Sequence, residues 1–238
     1  MSGFLYGIIL QWKLDLRNRG ILLTYYIIPI IFFGFMGGIF TSIDPMAYKT
    51  LIPSMTVFGV TMGAIIGSPT PIAVFFNSDI KKAYIVGKVP LWSAVANNFI
   101  SGFIHLFIMS IILFFIAPIA FKATIPSNNA VYFINLALFI ATSLSIAMII
   151  GLVVKDTSKL TMISQLVFLP SIMLSGIMFP SDKLPSFLQG IGKLLPATWG
   201  YENMCRGELD IAIILPFVGM IAICTLISIW KIRKLKLN

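Results

Sequence analysis

Apolar residues in this chain run in long blocks, with polar residues confined to short breaks between them. Blocks at 21–40, 53–76, 92–118, 131–154, 160–179 and 211–230 contain no Asp, Glu, Lys or Arg. Each reaches the roughly 20 residues needed to cross a hydrocarbon core. One charge at the centre of such a helix costs about 2.5–3.5 kcal/mol on insertion scales, so their absence lets each block insert unaided. The pattern predicts an all-α integral membrane protein with six transmembrane helices. Ahead of them, Leu5, Ile8, Ile9, Trp12 and Leu16 recur at helical spacing, with Gln11, Lys13, Asp15 and Asn18 elsewhere around the wheel. That predicts an N-terminal amphipathic helix lying in the membrane interface with Trp12 as its anchor. It serves either as a surface leader or as a dock for a partner.

Composition narrows the class. Of 238 residues, 58% are hydrophobic and 11% charged, against about a quarter charged in soluble domains. No stretch remains for a separate soluble catalytic domain. The expected organisation is one transmembrane domain over 1–238: an interfacial helix at 1–19, a six-span bundle at 21–230 and a basic tail at 231–238. The first 20 residues are broken by Gln11, Lys13, Asp15, Arg17 and Arg19 and do not read as a cleavable leader.

The formal charge of +9 is not a nucleic-acid signal, because the basic residues sit in alternate breaks between spans. One side receives Lys13, Arg17, Arg19, Lys81, Lys82, Lys88, Lys155, Lys159 and the tail Lys231, Arg233, Lys234 and Lys236. The other receives Lys49, Lys122, Lys183, Lys193 and Arg206, the last three offset by Asp182, Glu202, Glu208 and Asp210. The positive-inside rule then puts both termini in the cytoplasm. Lysine in excess of arginine, with abundant Ile and Phe, points to an AT-rich bacterial genome, and the expected location is a bacterial plasma membrane. Cys205 and Cys224 are the two cysteines, the second inside the last apolar block, which is no disulfide framework.

Little in the spans suits catalysis. Gly59, Gly63 and Gly67 at four-residue intervals, and more weakly Gly34 and Gly38, predict lines of close helix–helix approach. Packing is favoured there over direct substrate contact. Pro69 and Pro71 predict a kink or unwinding beyond Gly67. His105 is the one histidine and falls mid-span; a neutral imidazole bonded to a neighbouring helix explains it better than a proton relay, which needs further titratable groups. There is no His-Glu-x-x-His zinc pattern, and Ser175-Gly176 lacks the preceding glycine of a nucleophile turn. No phosphate-cradling loop occurs either, since Gly87-Lys88 is followed by Val89 and Gly192-Lys193 by Leu194. If ATP powers this protein, another chain binds it.

Two loops are more specific. In 77–90, Ser78 or Asp79 can cap and Gly87 can end a short helix carrying Ile80, Lys81, Lys82 and Tyr84. A helix of two turns is too short to be stable alone and needs a surface to pack on; a solvated loop is the alternative. In 169–196, Leu184, Phe187, Leu188, Ile191, Leu194 and Leu195 form a stripe bounded by prolines. That predicts short re-entrant or interfacial helices between spans five and six.

The run Leu169-Pro170, Ser175-Gly176, Phe179-Pro180, Leu184-Pro185 and Leu195-Pro196 resembles the signature around the fifth span of the permease subunits of type-2 ABC exporters. The resemblance covers essentially the whole chain. The loop at 79–90 departs from the commoner pattern of an acidic residue and glycine before the basic residue. The resemblance implies two permease subunits, identical or related, around a central pathway lined mainly by spans two and five. Phe58, Met62, Ile66, Phe168, Ser171 and Ser175 are the pathway residues so implied. It also implies a separate ATP-binding cassette ATPase that carries ATP and Mg, docks on the coupling helix at Asp79, Ile80, Lys81, Lys82 and Tyr84, and drives alternating access; this chain holds no cofactor. An uncharged pathway suits hydrophobic or amphipathic cargo: a peptide, a drug or a lipid-linked molecule. An ATP-independent secondary transporter or channel is the alternative, and an intramembrane enzyme a weaker third.

Overall fold

The computed structural model describes residues 3–43, 46–208 and 211–237; Asp210 lies outside them. Every element is helical: α1 (Gly3–Arg17), α2 (Arg19–Leu22), α3 (Ile28–Ile43), α4 (Leu51–Met62), α5 (Pro69–Asn77), α6 (Asp79–Val86), α7 (Leu91–Phe121), α8 (Asn129–Val153), α9 (Thr157–Met173), α10 (Ser186–Gly192), α11 (Pro196–Arg206) and α12 (Ile211–Leu237). One π turn, Leu23–Ile27, joins α2 to α3, and another, Gly63–Gly67, joins α4 to α5. These joints make two continuous spans, Arg19–Ile43 and Leu51–Asn77. Local chemistry starts the helices: the Asn18 side chain accepts from the Gly20 and Ile21 amides, Asn128 from Val131 and Asp156 from Lys159.

Among the described residues, five helices are long and apolar enough to cross a bilayer: those two, α7, α8 and Ile214–Leu235 within α12. The expected fifth block forms α9, which stops at Met173 after 17 residues, roughly 25 Å of rise. The sequence reading carried it to Phe179. It ends early because the Ser175 hydroxyl turns back to the Ile172 carbonyl at 2.8 Å and Gly176 takes a left-handed φ of +93°, a conformation glycine adopts without steric cost.

Span two is the axis of the bundle, and α4 is buried along its entire length. Its glycines let neighbours in. A Cβ on Gly59 would stand 2.7 Å from Met109, one on Gly63 would collide with Leu106, and one on Gly67 would stand 2.6 Å from Tyr25. In span one a Cβ on Gly37 would stand 2.5 Å from the Phe121 ring, whereas one on Gly34 would meet open space and one on Gly38 would barely touch the same ring. The expected Gly34–Gly38 line is therefore replaced by Gly37, one helical position that a four-residue spacing alone does not select.

The breaks between spans gather at two ends. At the basic end, the Asn77 amide donates to the Lys155 carbonyl at 2.8 Å, the Phe4 and Trp92 rings lie 5.7 Å apart, and Trp92 and Ile232 share one groove. At the opposite end, the Thr124 amide donates to the Tyr48 carbonyl at 2.9 Å. There α10 and α11 fold back over the bundle. A Cβ on Gly200 of α11 would stand 2.7 Å from the Phe139 ring of α8, and Trp199 Nε1 donates to the Lys193 carbonyl at 2.8 Å. The expected stripe at 184–195 divides: Leu184, Leu188, Ile191 and Leu195 are half-buried, Phe187 and Leu194 exposed.

Candidate functional site

The loop after span two folds as α6, eight residues long and with none of them buried. Asp79 and Lys82 pair at 2.8 Å across one turn, both at the surface. The pair holds the Asp79 carboxyl below its ordinary range and the Lys82 ammonium above its own. Gly87 follows the helix, yet its φ is −73° and Lys88 takes the left-handed conformation instead, at φ 54°. The five expected coupling residues do not all face outward. Tyr84 packs edge-on against Phe75 with ring centroids 4.8 Å apart and is half-buried. Ile80, Ile85 and Val86 are the exposed apolar residues, Val86 at 83%. The Tyr84 ring thus finds a partner one helix back in its own chain.

The N-terminal helix is fastened to α7 by its less apolar face. Gln11 Nε2 donates to Asp15 Oδ1 at 2.8 Å, and Ser101 Oγ donates to Asp15 Oδ2 at 2.6 Å. The Trp12 and His105 rings stack 4.1 Å apart at 4°. Asn97 fills the space where Gly7 has no side chain. Leu5, Ile9 and Leu16 stay on the outer face, while Ile8, Gln11 and Trp12 are half-buried and Asp15 is buried. Trp12 therefore anchors α1 to protein. Burial raises the Asp15 carboxyl above its ordinary range, against its two hydrogen bonds, which lower it. His105 Nδ1 lies 2.7 Å from Tyr26 Oη of span one, and Tyr25 Oη lies 2.7 Å from Ser68 Oγ of span two. The histidine sits in a packed, hydrogen-bonded setting between helices.

Of the six residues assigned to a pathway, most are interior. Phe58 and Met62 are buried; Phe58 stacks on Phe32 with ring centroids 3.8 Å apart and meets Phe168 edge-on at 5.7 Å. Ser171 and Ser175 are buried and donate to the Val167 and Ile172 carbonyls of their own segment. Ile66 and Phe168 alone keep partial exposure. The open face of α9 lies elsewhere, on Thr161, Met162, Gln165, Leu166, Leu169 and Met173. A uniformly apolar helix carries no periodic signal to say which face points inward, so the six were placed without direction.

Sequence reasoning gives Ser101, Tyr26 and Gln165 no role and places Asp15 only on the polar face of α1. Two signals were available: Asp15 is the one acid before residue 44, and Gln165 the one glutamine in the six apolar blocks.

Apolar helices of spanning length are wound about a buried second span, and no group of three metal-ligating side chains occurs among the described residues. Such a bundle is a multi-pass membrane protein. A family model for the ABC-2 type transporter matches residues 4–209, which takes in the elements from α1 to α11. The chain belongs to that family and is a permease subunit of it. No curated protein matches the chain.

Proposed function

We propose that this chain is the membrane half of an ATP-driven exporter, in which two permease subunits enclose the pathway and a separate ATPase docks beneath α6. The observation that carries the reading is α6 itself. Eight residues cannot hold a helix in water unaided, and this one leaves Ile80, Ile85 and Val86 open at the basic end. Such a cluster suits the small buried anchor that dominates an interface. In this reading the basic end and both termini are cytoplasmic, in a bacterial plasma membrane. ATP and Mg reside on the ATPase, whose closure α6 passes to span two through Tyr84 and Phe75.

Cargo is hydrophobic or amphipathic, and it moves by alternating access between two copies of α9. Gln165 and Thr161 on the open face of α9 favour a protein- or water-facing position over lipid, because an amide in hydrocarbon without a partner is costly. The test is co-purification of the ATPase with the Ile85→Asp/Val86→Asp variant. Loss of such an anchor costs about 2 kcal/mol or more, over tenfold in affinity. Insertion should be unchanged while ATPase recovery and cargo-stimulated hydrolysis fall. Full recovery of the ATPase by the double variant would overturn the docking assignment.

A further inference from the structure

Between α1 and the start of α7 lies a cavity of about 590 Å³, closed further by α2, α5 and α6. That volume is in the range of small-ligand sites. Its polar lining includes Asp15, Asn97 and Asn98 beside the hydroxyls of Thr24, Thr70 and Tyr84. Asp15 is 2% exposed, and the ion pairs among the described residues are Lys82–Asp79 and Arg206–Glu202, so none of those residues places a cation at its carboxylate. Asn97 Oδ1 and Asn98 Oδ1, on neighbouring residues of α7, are buried without a hydrogen-bond partner. An acceptor left buried and unpaired forfeits its hydration without return. Gln11 and Ser101 each satisfy one lone pair of one Asp15 oxygen, which leaves capacity on both. Around these oxygens the wall is apolar, with Leu10, Leu14, Ile72 and Phe75.

We propose that this cavity binds the primary ammonium group of an amine-headed amphiphile, held by Asp15, Asn97 and Asn98, with its apolar body along Leu14, Ile72 and Phe75. A primary ammonium brings one positive charge and three N–H donors, matching one carboxylate and two amide oxygens. The apolar walls disfavour a bare hydrated cation. Burial now holds the Asp15 carboxyl high, and a cation beside it brings it back down. The ammonium can belong to a membrane aminolipid or to a free amphiphilic amine. Neither source depends on the transport reading, since binding is a property of this chain.

Native mass spectrometry of the full chain separates them. Protein is released from nanodiscs of phosphatidylethanolamine or of phosphatidylglycerol, the latter with added octylamine or octanol. Retained phosphatidylethanolamine identifies a lipid site; saturable octylamine with no retained lipid identifies a free-amine site. Either result supports the proposal when Asp15→Asn lowers retention about tenfold, as removal of a charged hydrogen-bond partner does. Leu14→Trp, which fills the cavity from an exposed rim position, should do the same and decides the matter if Asp15→Asn does not fold. Octanol retained as well as octylamine, no retention of any amine, or retention unchanged in the variants would overturn it.

Discussion

Span two and α12 are both apolar, with mean hydropathies of 1.6 and 1.9 over their most apolar windows, yet 94% of the first window is buried and 11% of the second. Hydropathy therefore places a helix in the membrane without saying whether it stands at the centre or the edge. Small residues make the difference. Gly59, Gly63 and Gly67 admit Met109, Leu106 and Tyr25 to van der Waals contact, whereas Gly219 of α12 has no neighbour within 4 Å of a built Cβ. Within lipid there is no hydrophobic force between helices, and close packing decides which helix is surrounded.

The largest effect should come from reversing that difference. Gly63→Leu drives a branched side chain into Leu106 and Tyr25 and should cost about 3 kcal/mol, the upper end for overpacking. Gly219→Leu should stay within about 0.5 kcal/mol, as for open surface sites. Thermal unfolding of both variants in detergent checks the contrast, and equal midpoints would break it. Gly176 is unsuitable as a control, because its φ of +93° penalises any side chain.

A smaller effect tests whether exposure means lipid in α9 as in α12. Gln165→Leu should weaken association of permease subunits by about 1 kcal/mol, the scale of an interhelical hydrogen bond in membranes. The subunit pair population on dilution in detergent measures it. Unchanged or tighter pairing would put α9 against lipid.

The smallest effect concerns α1, which is bound by a buried acid rather than by small residues. With the Asp15 carboxyl raised above 3.8 in the folded chain, the folded state binds the proton more tightly. Stability should therefore fall as pH rises from 3.8 through the raised value. Melting curves across acidic pH should show that slope for wild type, and a shallower one for Asp15→Asn.

What could be read from sequence follows the same division. The apolar blocks were legible because composition alone decides insertion, and α6 because Ser78 and Gly87 bracket it. The facing of Phe58 and Met62 was not, since every position around their helix is compatible with either lipid or core. Nor was the early end of α9, which depends on the Gly176 backbone and on Tyr201 of α11, whose ring lies 3.0 Å from a built Gly176 Cβ. The α11 helix carries a usable signal in Pro196, which also bounds the apolar stripe, at its first turn and Gly207 at φ +69° just beyond its end, the usual asymmetry of helix ends. At the candidate site, Asp15 stood out by being alone, but its partner Ser101 lies 86 positions away, a distance no local pattern bridges.

Reconstitution separates an ATP-driven permease from a free-standing carrier. Purified chain in proteoliposomes, with and without its ATPase, is loaded with a fluorescent amphipathic peptide and supplied with ATP and Mg. The chain alone should neither hydrolyse ATP nor move the peptide, and movement should become ATP-dependent once the ATPase is present. Peptide movement by the chain without an ATPase, driven by an ion gradient or by none, would contradict it.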